Sequence, residues 1–180
     1  MAESKITYLE AYLLNDICSA LLNPQINQKI TAEMKAKGDF GLGICQMRFS
    51  YMLTKNFGKL KPIIVELNTL KNNVIDAFTK DNAENAKIIA EFESLKATDT
   101  SSYTEEEVAA HKAKMDEYVT KFQLIDADIK KEFDEIDQKE ASVDFYKCDV
   151  AFFPDLNTAY WPNITLIYNF CITDSEESQA

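Results

Sequence analysis

The chain has 180 residues, 46% of them apolar and 27% charged, the balance of an ordinary globular protein rather than a disordered one. Nineteen basic residues face thirty acidic ones, a net charge of −11, so direct nucleic-acid binding through phosphate contacts is not expected. No eighteen-residue apolar run occurs and the N-terminus lacks an apolar signal core, so membrane insertion and export are not expected and a cytoplasmic protein is. The acidity is uneven. Residues 104–143 carry six basic and twelve acidic groups, and 144–180 carry one and six.

From the N-terminus, Thr7-x-x-Glu10 has the spacing of a capping box. Tyr8, Leu9, Tyr12, Leu13, Ile17 and Leu21 then recur at helical spacing, and Pro24 ends the run. Gln25 to Lys37 is compatible with a short helix or an irregular strand. Gly38, Gly41 and Gly43 punctuate the chain next. They lack the Lys-Ser or Lys-Thr step and the leading strand of a phosphate loop.

A heptad written from Phe57 puts Phe57, Ile64, Lys71, Phe78, Asn85 and Phe92 at a, and Leu60, Leu67, Val74, Asp81, Ile88 and Leu95 at d. Nine of these twelve are apolar, a seam made for another helix. Pro62 should kink this helix or start a new one. After a polar turn over 96–103, Thr104-x-x-Glu107 gives a second capping box. Seven-residue steps then land on Val108, Met115, Phe122, Ile129, Ile136 and Val143. Two such arms should fold back as an antiparallel hairpin. With its turn near residue 100, Phe122 should lie opposite Phe78, buried in mid-seam, and Ile129 opposite Lys71. Lys71 should lay its stem over apolar surface and reach Asp126 or Asp128.

Past the hairpin, Tyr146, Cys148, Val150 and Phe152 alternate as in a short strand. Pro154-Asp155 makes a turn. Asn157 or Thr158 can cap a last helix carrying Tyr160, Trp161, Ile164, Ile167, Tyr168 and Cys171. The expected fold is therefore mainly α: a long, coiled-coil-like antiparallel hairpin with short N-terminal helices and a small aromatic C-terminal strand and helix. The expected organisation is an N-terminal helical part (1–56) at the hairpin base, the hairpin (57–143), an aromatic clamp (144–174) and an acidic tail (175–180), together one compact domain.

Catalytic groups are scarce. His111 is the single histidine and falls on the seam, which removes most Ser–His and Cys–His arrangements. Cys18, Cys45, Cys148 and Cys171 form no C-x-x-C pair and read as reduced, mostly buried residues. Asp126, Asp128, Glu132, Asp134, Glu135 and Asp137 read as a solvated face of the second arm, without the glycine-turn spacing of a calcium loop. No metal, cofactor or catalytic residue is assigned. Phe152, Phe153, Tyr160 and Trp161 form an aromatic patch suited to a protein partner. Asp134 and Glu135 are the acidic candidates for the same purpose.

The stretch from Phe49 through Lys55-Asn56 to Leu60-Lys-Pro62, running into a heptad helix, resembles a pattern of small tailed-bacteriophage proteins of unknown function. Phe153-Pro-Asp-Leu-Asn-Thr-Ala-Tyr-Trp161 is similar to their C-terminal part. Eighteen lysines against one arginine, with twelve asparagines, agree with an AT-rich source. The resemblance implies a phage origin, and the long hairpin, the aromatic patch and the scarcity of catalytic groups suggest a non-enzymatic protein acting in the host cytoplasm on a host protein, such as a defence factor, or on a phage assembly protein. Two alternatives stand beside this reading. One is a virion assembly or head–tail component, with heptad seams pairing between copies as a homo-oligomer. The other is an acidic mimic of nucleic acid.

Overall fold

Strand β1 (Ser4–Thr7) leads directly into helix α1 (Tyr8–Leu22), and Thr7 explains the switch. Its backbone is extended, its hydroxyl accepts from the Glu10 N–H at 3.2 Å, and the Glu10 carboxylate accepts from the Thr7 N–H at 2.9 Å. The first capping box is formed as expected. The structure is a computed structural model that describes residues 3–23, 47–153 and 163–173. The segment 24–43, its glycines, Cys45, Pro154 to Pro162 and the tail from 175 lie outside the described residues.

The remaining elements are α2 (Met47–Asp76), a π-helical turn (Ala77–Asp81), α3 (Ala83–Ala97), α4 (Glu105–Asp137), β2 (Glu140–Val143), β3 (Cys148–Asp149), a 3-10 turn (Val150–Phe152), α5 (Ile164–Cys171) and β4 (Ile172–Thr173). The fold is mainly α. No helix among the described residues is long and apolar enough to cross a membrane. Two compact units are present, one from 1–66 with 138–180 and one from 67–137.

In the first unit, β1 pairs antiparallel with β2, Ser4 opposite Val143 and Thr7 opposite Glu140. The Tyr8 N–H extends that ladder to the Lys139 carbonyl at 2.9 Å. Helix α1 buries Tyr8, Ala11, Leu14, Ile17, Cys18 and Leu21, a stripe at three- and four-residue spacing, and packs on α5. Burial and a hydrogen bond to Glu66 raise the Tyr8 phenol above its ordinary pKa. Helix α5 follows Asn163 in the left-handed region, φ 68°, a conformation asparagine tolerates better than most residues. It is shorter than the sequence pattern suggests within the described residues, and it buries Ile164, Ile167 and Cys171. Strands β3 and β4 pair in parallel, Cys148 with Ile172 and Asp149 with Thr173. The expected strand over Tyr146–Phe152 thus shrinks to two residues, because Asp149 turns the chain into the 3-10 turn by accepting from the Ala151 N–H at 2.8 Å.

Helix α2 contributes Phe49, Met52, Leu53, Asn56, Leu60 and Ile63 to the core. It neither stops nor restarts at Pro62, which lies inside it. The ring of Pro62 faces the carbonyl of residue 58 four positions back. That residue is Gly58, around which no foreign atom comes within 4 Å of a Cβ position. Apolar anchors on both sides, Leu60, Ile63 and Leu67, hold the helix across the missing hydrogen bond.

The second unit is the antiparallel hairpin, in which α3 packs on α4. Thr104 caps α4: its hydroxyl accepts from the Glu107 N–H at 3.3 Å, and Glu107 accepts from the Thr104 N–H at 2.8 Å. The first arm departs from expectation. The π turn and extended Asn82 interrupt it, and Asn82 Oδ1 recaps α3 by accepting from the Glu84 and Asn85 N–H groups at 3.1 Å each. Exposed Asp81 and half-buried Asn85 are the positions at which the seam turns polar here, so the break costs little burial.

Side-chain pairing is also shifted. Phe122 stacks on Phe92 (centroids 5.2 Å, 27° between planes) instead of Phe78, and it remains 37% exposed. Lys71 reaches the Asp137 carboxylate at 2.7 and 3.0 Å and lies over the Phe133 ring, rather than meeting Asp126 or Asp128. Every helical side chain leans toward its own N-terminus. In an antiparallel pair those leans converge, so contacts join residues lying further along each chain than backbone levels imply. Val143 leaves the seam entirely, because α4 ends at Asp137 and Val143 is a buried strand residue in β2.

Candidate functional site

One turn of α2 places Arg48 and Tyr51 on the same face, three residues apart. The segment from Asp144 to Asp149 runs beside them, and a buried side chain holds it. Asn56, with no exposed surface, donates from Nδ2 to the Tyr146 carbonyl at 2.8 Å and accepts on Oδ1 from the Tyr146 N–H at 2.8 Å. This pairing imitates a strand partner for a residue that has none in β3. One turn further on, Lys59 donates to the Asp144 carbonyl and stands 3.6 Å from its carboxylate.

The result is a cleft of about 530 Å³ lined by Arg48, Tyr51, Tyr146, Lys147, Cys148, Asp149 and Phe152. The Tyr51 and Tyr146 rings meet edge to face at 5.3 Å. The Arg48 guanidinium lies over the Phe152 ring, 4.5 Å from its centroid, and the Lys55 amine lies 5.2 Å over Tyr51. Among the described residues neither Arg48 nor Lys147 forms a salt bridge, whereas the Asp149 carboxylate already accepts from the Ala151 N–H. Burial, aided by the Asp149 charge, pushes the Cys148 thiol above its ordinary pKa, and Arg48 only partly opposes this. Such a thiol is a poor nucleophile. Deeper in the unit, burial pushes Cys171 up to about 12 against a hydrogen bond from Asn56, and it raises Cys18 as well. Cys18, Cys148 and Cys171 are buried and free.

Of the residues expected to bind a partner, Phe152 lines this cleft. Phe153 is not among the lining residues and packs instead edge-on to Phe49 at 5.1 Å and against Tyr168 at 4.1 Å. Tyr160 and Trp161 lie outside the described residues. Asp134 and Glu135 are exposed on α4, in the other unit. His111, half-buried, meets Tyr103 edge-on at 6.1 Å. Among the described residues no group of three or more His, Cys, Asp or Glu side chains converges as metal ligands would. Arg48, Tyr51, Tyr146 and Lys147 are absent from the sequence-based candidates. The signal that could have found two of them is the chain's only arginine standing one helical turn before a tyrosine. Comparison with protein-family models, curated proteins and solved structures gives no match.

Proposed function

We propose that this protein works by binding another protein through the cationic and aromatic cleft of its first unit. The observation that carries this reading is the gathering of Arg48, Tyr51, Tyr146 and Phe152 at one accessible place, with Tyr51 49% and Tyr146 40% exposed. Arginine and tyrosine dominate the energetics of protein interfaces because each joins a broad flat surface to directional polar atoms. The raised thiol of Cys148, and an Asp149 carboxylate already engaged by the Ala151 N–H, favour recognition over chemistry. The resemblance to tailed-phage proteins points to a phage source, and for a phage-encoded binding protein the partner we propose is a host protein, such as a host or defence factor that it inhibits.

A second reading, self-association as an assembly component, is favoured by a separate observation. Helix α4 leaves Val108 44%, Phe122 37% and Leu124 63% exposed. A photoreactive phenylalanine analogue at position 51 or at position 124, in the full-length protein expressed in host cells, tests both. Crosslinks from position 51 to one recurrent protein support the proposal. Crosslinks from position 124 to further copies of the chain, with none from position 51, replace it with self-association.

A further inference from the structure

Resting on the reading of the cleft as a protein-docking site, we infer that it takes a peptide segment presenting a carboxylate beside an aromatic side chain. Three observations define that chemistry. First, the cleft is a cationic spot on a chain of net charge −11, and its two cations, Arg48 and Lys147, have no salt-bridge partner among the described residues. Elsewhere on the same molecule Lys59 and Lys71 do find acids. Second, the Arg48 guanidinium carbon lies 4.5 Å from the centroid of the Phe152 ring, and a guanidinium held against a ring in this way keeps N–H groups for a planar, two-oxygen acceptor. Third, the crossed rings of Tyr51 and Tyr146 supply an aromatic corner for a third ring, in a volume of about 530 Å³ that suits a ligand of a few residues.

The charge count selects a carboxylate over a phosphate. Arg48 and Lys147 stand against Asp149, so the lining offers one net positive charge. A single negative charge balances it, whereas a phosphate dianion would face Asp149 with half its charge uncompensated. The carboxylate can come from an internal glutamate or aspartate, or from the C-terminus of the partner chain.

The test uses amide chemical shifts of the full-length ¹⁵N-labelled protein. The probes are N-acetylated, C-amidated Gly-Tyr-Glu-Gly, the same peptide with glutamine for glutamate, and N-acetylated Gly-Gly-Tyr with a free carboxyl. The glutamate peptide should shift the amides of Tyr146 to Asp149 and of Arg48, and the glutamine peptide should bind roughly tenfold more weakly, the loss of one charge-assisted hydrogen bond. Binding of the third peptide at least as tight as the first identifies a chain terminus as the source. Arg48→Gln, whose other amide shifts show whether the fold is kept, should reduce the glutamate peptide to the level of its glutamine twin, with Arg48→Lys between them. Equal binding of the glutamate and glutamine peptides, no shift at millimolar peptide, or displacement by inorganic phosphate at lower concentration than peptide each overturns the inference. Crosslinking from position 51 to a protein alongside equal peptide binding would leave protein docking standing and remove only the carboxylate.

Discussion

Replacing Asn56 with alanine is the sharpest perturbation of the structure around the cleft. The side chain is wholly buried and makes two 2.8 Å hydrogen bonds to the backbone of a single residue, Tyr146. Each bond is worth about 1 kcal/mol net, and each backbone group left without a partner costs about 1–3 kcal/mol if water is excluded. Tyr146 is 40% exposed, so water can partly re-solvate its backbone, which sets the expected loss at roughly 2–4 kcal/mol. Asn56→Asp should cost at least as much, since it turns an oxygen toward the Tyr146 carbonyl and buries a charge. Urea unfolding followed by circular dichroism gives the loss, and amide exchange at Tyr146 locates it. An Asn56→Ala loss below about 1 kcal/mol, or unchanged Tyr146 exchange, would refute the view that this side chain holds the cleft wall.

Phe122→Ala should cost only about 1–2 kcal/mol, because the ring is partly exposed and stacked on Phe92, whereas fully buried Phe49→Ala should cost about 3–5 kcal/mol. Equal losses in urea titration would mean that the seam is closed around Phe122. A double-mutant cycle on Lys71 and Asp137, both less than a third exposed, should give a coupling of about 1–2 kcal/mol, and a coupling of zero would dissolve that pair. The Thr104 N–H, and after it the Thr104 hydroxyl, hold the Glu107 carboxyl below its ordinary pKa. A lowered folded-state value means that this cap stabilises the hairpin above the ordinary glutamate pKa and loses that effect as pH falls through the lowered one. Carbon NMR should show Glu107 titrating low and Thr104→Ala returning it toward normal. An unshifted Glu107 in the unsubstituted protein would remove the cap.

Local signals carried the furthest from sequence to structure. Both capping boxes formed, because each needs only two residues three apart and a change in backbone conformation between them. The antiparallel hairpin was legible from its two apolar seams. Its side-chain register was not, since the lean of side chains along helices and the π turn at Ala77–Asp81 lie outside a count of sevens. Val143 shows the same limit differently: one apolar residue fits a helical or an extended period equally, and pairing with Ser4 decided it. The cleft was the least legible feature. Arg48 and Tyr146 are 98 positions apart in the sequence, and what joins them is Asn56, a polar residue that hydropathy places on the surface.

The strand pair β1–β2 joins residues far apart in the chain, Ser4 to Val143. Closing so long a loop in a disordered chain is entropically costly and slow. The hairpin changes that cost. Its contacts are local, and once formed it fixes Lys71 beside Asp137, so the intervening residues no longer count as free chain. The helical arms therefore act as a clip during folding, shortening the search by which the N-terminal strand finds its mate. Lengthening the turn over 98–104 should slow formation of that clip slightly, because loop entropy grows only with the logarithm of length. Breaking the Lys71–Asp137 end should delay the strand pair more than the helices, giving a β1–β2 phase that lags the helical signal in stopped-flow refolding.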